Sequence, residues 1–316
     1  MRFFLFFPFL FLSSFVFADE ALWQMPEVQA FCQSVSADFK PEELQTYFLS
    51  ASKNERILSL VEPKKAPRNW KKYKQNFVNP LLVLRGNKFL KKHALAFEQA
   101  EKIYGVPREI IAAIIGIETQ FGQNLGNFST FEALVNLAFY DQRRADFFKN
   151  ELKEFLYFTR ENNYNPLNIK GSYAGALGIA QFMPSSIRRF AVDFDGNGQI
   201  DLIQSEMDAI GSVAAFLKEH GWQKNKAIAF ALDLNGNIPD AFLTNVHPSL
   251  LVKDLKNQGF ITQADDQEMV SFLDFESDQE KEFWLGLHNF EVITHYNRSR
   301  FYALSVFLLS EEFKNH

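Results

Sequence analysis

Glu118 is the residue in this chain whose surroundings most favour proton chemistry. It lies near the end of an almost wholly apolar segment, Glu109 to Thr119, in which Ile110, Ile111, Ala112, Ala113, Ile114, Ile115 and Ile117 describe a helix buried on most sides. Helical spacing sets Glu118 on the face of Ile111, Ile114 and Ile115, where loss of water penalises the carboxylate and raises its pKa. A carboxyl that keeps its proton near neutrality can donate to a glycosidic oxygen. Taken alone, the segment favours a plainer reading, a helix-terminal glutamate facing water or paired with Arg143 or Arg144. The residues that follow shift the balance. Glu118-Thr119-Gln120-Phe121-Gly122 ends the helix abruptly at glycine and presents the carboxyl at a cleft edge, and Gly171 to Pro184 supplies small residues that let backbone approach a ligand closely.

A second set has the spacing of a calcium loop. Asp193, Asp195 and Asn197 stand at loop positions 1, 3 and 5, Gly198 at 6, Gln199 at 7 and Ile200 at 8. Position 12 is Gln204 in place of glutamate, so a bidentate carboxylate must come from elsewhere. A look-alike at Asp233 to Asn237 has its glycine misplaced and reads as a turn. One such loop describes a structural Ca2+ site better than a sensor, because sensors often use paired loops. The six histidines are dispersed without zinc-ligand spacing, and no phosphate-cradling glycine loop is present.

These residues must be held by helices. The pattern is strongly helical from Leu90 to a stop at Gly105, again over Glu109 to Thr119, then as one or two amphipathic helices from Phe131 to Phe158 behind a capping box at Ser129 and Glu132. Helical patterns return at Ala209 to Leu217 and Tyr302 to Phe313. Long strand alternation is absent, so the fold class is mainly α, and a small β element in the flanking regions is left open.

With 316 residues, 47% of them hydrophobic, the chain can bury a large core. Met1, Arg2, the apolar run Phe3 to Leu12 and Ala18 have the form of a cleaved export leader; the run is short of the ~20 residues a membrane span needs. The expectation is a periplasmic protein with no transmembrane anchor after cleavage. A single cysteine, Cys32, excludes an internal disulfide, and a net charge of −5, one unit more negative without Arg2, argues against nucleic acid as a partner.

From about Trp70 to the C-terminus the chain resembles the membrane-bound lytic murein transglycosylase B family, glycoside hydrolase family 103. The resemblance rests on the E-T-x-[WF]-G motif at Glu118, the G-S-[FY]-A-G-A-[ML]-G-x-x-Q-F-M-P-S-S segment from Gly171, the Arg143-Arg144 pair between them, and Tyr296-Asn297-Arg298-Ser299. It implies a lysozyme-like catalytic core over about 101–222, flanked by a helical region built from 19–100 and 223–316. It also implies that Glu118 is the catalytic acid/base, that Ser172 and Gln181 hydrogen-bond sugar, and that Phe182 and Met183 line the cleft. Arg143 and Arg144 would contact acidic or peptide-bearing groups, and Tyr73, Tyr296, Asn297 and Tyr302 would form cleft walls. Asp208 matches the family's further calcium ligand. Phe216 departs from the pattern, standing where a cleft tyrosine is expected.

The reaction so implied cleaves the β-1,4 bond between N-acetylmuramic acid and N-acetylglucosamine. One carboxyl suffices: it protonates the glycosidic oxygen, then accepts the proton of the muramyl C6 hydroxyl as that oxygen closes on C1, leaving a 1,6-anhydromuramyl end. An intramolecular attacker has an effective concentration that water lacks, and no second acid stands at a motif-supported position for a two-carboxylate mechanism. Peptidoglycan strands are the expected partner, and other cell-wall enzymes are compatible ones. The alternative is a catalytically silent protein that holds the glycan.

Overall fold

The computed structural model describes residues 20–62, 69–232, 243, 245–278 and 280–315. The export leader expected over residues 1–18 and the turn at Asp233 to Asn237 lie outside the described residues. Helices dominate. Three of the early ones begin with proline, at Pro26, Pro41 and Pro80, where the first turn has no use for the missing N–H. Asn54, Asn69 and Asn79 accept backbone N–H groups at the starts of three helices, and Ser129, Ser205 and Ser299 do so at three later ones.

The helix Arg108–Thr119 forms the centre, with Ile110, Ile111, Ile114 and Ile115 essentially without solvent contact. Burying each contributes about 1.5–3 kcal/mol. Around it pack Pro80–Lys92, Ala94–Tyr104, Glu206–Glu219 and the C-terminal Arg300–Lys314. Gly105, with φ of 72°, ends the second of these as the sequence predicts. The stretch Phe131 to Phe158 resolves into two helices, Thr130–Phe139 and Ala145–Glu161, split by a short 3₁₀ turn at Gln142–Arg144. One continuous core runs from Leu22 to Phe313; the C-terminal Arg300–Lys314 closes directly over the central helix, while the early helix Glu55–Val61 packs on Thr130–Phe139.

The β element left open by the sequence is a four-stranded antiparallel sheet, in the spatial order Ala229–Leu232, Lys281–Gly286, Met269–Glu276, Leu250–Leu251. Its long strand Met269–Glu276 is buried at every position between its two end residues. Val270 and Phe272 face a second apolar cluster with Val252, Leu255 and Leu285, while Leu273 and Phe275 face the main core. Burial on both faces erases the alternation that marks a half-exposed strand.

Candidate active site

Glu118 sits one residue before the helix ends, on a carboxyl-bearing turn held by unusual backbone. Gln120, Phe121 and Gly122 all have left-handed φ, of 52°, 62° and 80°. The first two are not glycine and store strain there, about 1–2 kcal/mol each. The turn folds the Phe121 ring back over Gly116; a Cβ at that glycine would lie 2.7 Å from the ring. Thr119, buried, ties the same end to the Gly171–Pro184 segment. Its hydroxyl donates to the Ile179 carbonyl at 2.8 Å and accepts from the Gly122 N–H at 3.0 Å.

The partner of Glu118 is a tyrosine and not an arginine. Tyr302, from the C-terminal helix, donates its hydroxyl to Oε1 of Glu118 at 2.7 Å. Burial pushes the carboxyl from its ordinary 4.5 up to about 7, and the Tyr302 hydrogen bond pulls the other way. The carboxyl's charge in turn helps raise the hydroxyl pKa values of Tyr73, Tyr296 and Tyr302, after burial itself. All three tyrosines thus feel the charge of Glu118, and Tyr302 is the one that bonds it. Tyr296 and Tyr302 lie near-parallel, with ring centroids 6.3 Å apart, and the Tyr296 hydroxyl donates to the Ala180 carbonyl at 2.5 Å. Tyr73 packs on Trp70, Phe77 and Phe301.

The glycine-rich segment is a set of tight turns facing this helix end. Gly178 has φ of 71°, and a side chain there would strike the Leu202 carbonyl. Gln181, also left-handed, donates its amide to the Gly178 carbonyl at 2.9 Å and to that of Leu125 at 3.3 Å. Ser172 accepts the Ala174 and Ala176 N–H groups, which leaves its own proton available to a ligand. Phe182 is buried against Phe216 and Tyr296. Phe216, in the expected tyrosine position, is buried in this aromatic group, 5.0 Å from Tyr296 between centroids. Asn297 is exposed and ends the helix His288–Tyr296.

At the acidic loop, oxygens of Asp193, Asp195 and Asp208 lie within 4.8 Å of one another. Calcium–oxygen distances of about 2.3–2.6 Å let one ion reach all three. Asp208 is fully buried and accepts N–H groups of Phe194, Asp195 and Asp201, so the helix starting at Glu206 is bound to the loop. Asp193 accepts those of Gly196, Asn197 and Gly198. Asn197 takes the Gln199 N–H.

The sequence matches the family described as Transglycosylase SLT domain over residues 24–311. The chain belongs to this family. It is 37% identical over 288 residues to membrane-bound lytic murein transglycosylase B of Escherichia coli K12, covering 86% of this chain and 78% of that one. Among solved structures, soluble lytic transglycosylase SltB1 from Pseudomonas aeruginosa superposes with a TM-score of 0.86 at 41% identity, covering 92% and 99% of the two chains. The Escherichia coli lytic transglycosylase Slt35 in complex with calcium gives 0.84 at 35%, covering 95% and 99%. The mainly helical, lysozyme-like fold expected from the resemblance is that of these transglycosylases, and the chain is an enzyme of their class.

The expected Arg143-Arg144 pair is divided. Arg143 forms a two-pronged bond with Asp141, Nε to Oδ1 and a terminal nitrogen to Oδ2, both at 2.9 Å, and holds that carboxyl below its usual range. Arg144 instead stacks on Phe147 and lines a cavity of about 510 Å³ with Met183, Phe182, Phe216 and Tyr296. Arg298 and His295 share that cavity. Sequence reasoning missed both as site residues, although Arg298 lies inside the Tyr296–Ser299 motif. Buried Glu151, also unforeseen, accepts the Ser185 N–H and hydroxyl in the cavity wall.

Proposed function

We propose that this lytic transglycosylase uses Glu118 alone as acid and then base in cleaving the N-acetylmuramic acid to N-acetylglucosamine bond of peptidoglycan, with release of 1,6-anhydromuramyl ends. The supporting observation is the isolation of Glu118: burial raises its pKa to about 7, Tyr302 alone bonds it among the described residues, and no neighbouring charge contributes to the shift. A group poised there is part acid and part base near neutrality, which suits one residue that must give and then take a proton. Ser172, with a free proton, would donate to a sugar oxygen; Gln181, its amide nitrogen engaged, would offer its oxygen to a sugar hydroxyl. Met183, Phe182, Tyr73, Tyr296, Asn297 and Tyr302 would form the walls.

The same proposal places Ca2+ between Asp193, Asp195, Asn197, Gln199 and Asp208, as a structural ion behind the cleft. It keeps the division at residues 100 and 222, and the export of the chain to the periplasm by residues 1–18. No helix among the described residues is long and apolar enough to cross a membrane. The deciding experiment is mass spectrometry of digested sacculi with wild type and Glu118→Gln side by side. Anhydromuramyl products from wild type alone are expected. Reducing muramyl ends would indicate a hydrolase, and binding without turnover by wild type the silent glycan binder.

A further inference from the structure

Between Glu62 and Glu98 the chain carries ten of its 33 Lys and Arg residues and neither Asp nor Glu, although its net charge is −5. The helix Pro80–Lys92 lies inside this run. Its buried residues Leu82, Val83, Gly86 and Phe89 share one side, which packs on Arg108–Thr119 and Arg300–Lys314. On the opposite side Leu81, Leu84, Lys88 and Lys91 stand at i, i+3, i+7 and i+10, a line about 15 Å long. All four are exposed. Leu81 and Leu84 keep 56% and 53% of their surface in water, and Leu95, at the start of the next helix, keeps 82%. Among the described residues Lys88 and Lys91 have no carboxylate partner, whereas their neighbours Lys74 and Lys92 pair with Glu282 and Glu206. One exposed leucine is ordinary. Two in line with unpaired lysines give the helix a second amphipathic face, turned to water.

A second copy of the chain fits this face poorly, because a symmetric contact sets Lys88 and Lys91 against themselves. A glycan strand would meet charge there but no aromatic ring along the line. Anionic lipid satisfies both halves of the pattern. The leucines enter the boundary between headgroups and acyl chains, the lysine stems lie along it, and the ammonium groups rest among phosphates. We propose that the outward face of Pro80–Lys92 is a docking surface for anionic phospholipid membranes. The contact is non-covalent and reversible, made by side chains of a folded helix. The same helix bonds through Arg85 to Gln120, two residues beyond Glu118, so docking sets the turn of Glu118 one helix layer from the lipid.

The test is flotation with vesicles of phosphatidylcholine, alone or mixed equally with phosphatidylglycerol. The protein used is the chain from residue 19 onward, which keeps every described residue and omits the apolar run of the leader. Wild type floats with the mixed vesicles at low salt, stays behind with phosphatidylcholine, and is released as salt rises. Lys88→Gln/Lys91→Gln weakens partition by about 30-fold, and Leu81→Ser/Leu84→Ser by at least as much. All four positions are exposed, so thermal melts of both variants match wild type and show that they are folded. Failure of wild type to float with the mixed vesicles, or flotation that neither variant weakens, overturns the proposal. Two further outcomes also overturn it. A face whose lysine variant loses binding to sacculi, with no vesicle binding to lose, belongs to a wall polymer. A dimer in sedimentation velocity that Leu81→Ser/Leu84→Ser dissolves assigns the face to a second copy.

Discussion

The Tyr302 hydroxyl meets Oε1 of Glu118 at 2.7 Å across 184 positions of sequence. This bond opposes burial, which has the larger effect on the carboxyl. In the proposed mechanism the protonated form begins the reaction, so kcat/KM holds below pH 7 and falls as pH rises through about 7. Tyr302→Phe removes the bond that favours the ionised form, so the alkaline limb moves to higher pH while the rate at the optimum drops. A pH–rate profile in which the limb moves to lower pH contradicts this account of the site.

Glu118→Gln keeps the shape of the side chain and removes its proton chemistry. Turnover falls by about 10²–10⁴-fold, and sedimentation with sacculi shows binding retained. The variant also reports on stability. The folded carboxyl titrates near 7 and the unfolded one near 4.5, so wild type loses stability as pH rises between those values. Denaturant melts at pH 4 and pH 8 therefore show the variant gaining on wild type by at most about 3 kcal/mol.

Thr119→Val leaves the Ile179 carbonyl and the Gly122 N–H without their buried partner, a loss of about 1–3 kcal/mol. Thr119→Ser restores most of it. Urea unfolding checks the ordering of wild type, serine and valine forms.

At Gly116, alanine has the better helix propensity, yet its Cβ would lie 2.7 Å from the Phe121 ring. Gly116→Ala therefore destabilises by about 1–3 kcal/mol through overpacking and lowers kcat by displacing the turn that carries Glu118. Thermal melts and turnover on the same preparation measure both effects.

With calcium held at the proposed site, its removal by chelator lowers the melting temperature by several degrees, since an ion at 100-fold its dissociation constant contributes about 2.7 kcal/mol. Asp208→Ala abolishes the calcium response and also frees the loop N–H groups of Phe194 and Asp201 that Asp208 holds from the helix start. Calorimetry with and without calcium separates the two.

Local signals made much of this fold legible. Gly105 and Ser129 mark helix ends because left-handed backbone and orphan N–H groups leave a residue signature. The apolar run before Glu118 showed burial because a helix without a polar face has none to turn toward water. The sheet was hidden because Val270 and Phe272 face one cluster while Leu273 and Phe275 face another, which leaves no polar face to give a period of two. The division of Arg143 from Arg144 was equally out of reach, since it depends on Asp141 capturing one of two neighbours through a turn. Nor does any local pattern join Tyr302 to Glu118.

That distance in sequence bears on the order in which the molecule is made. A chain that emerges N-terminus first exposes the helix of Glu118 long before the last helix exists. Until Arg300–Lys314 docks, the acid lacks its hydroxyl partner and the central helix lacks one of its neighbours. An enzyme able to breach the wall around its own cell thus lacks this bond at its proposed acid until Arg300–Lys314 has been made and docked.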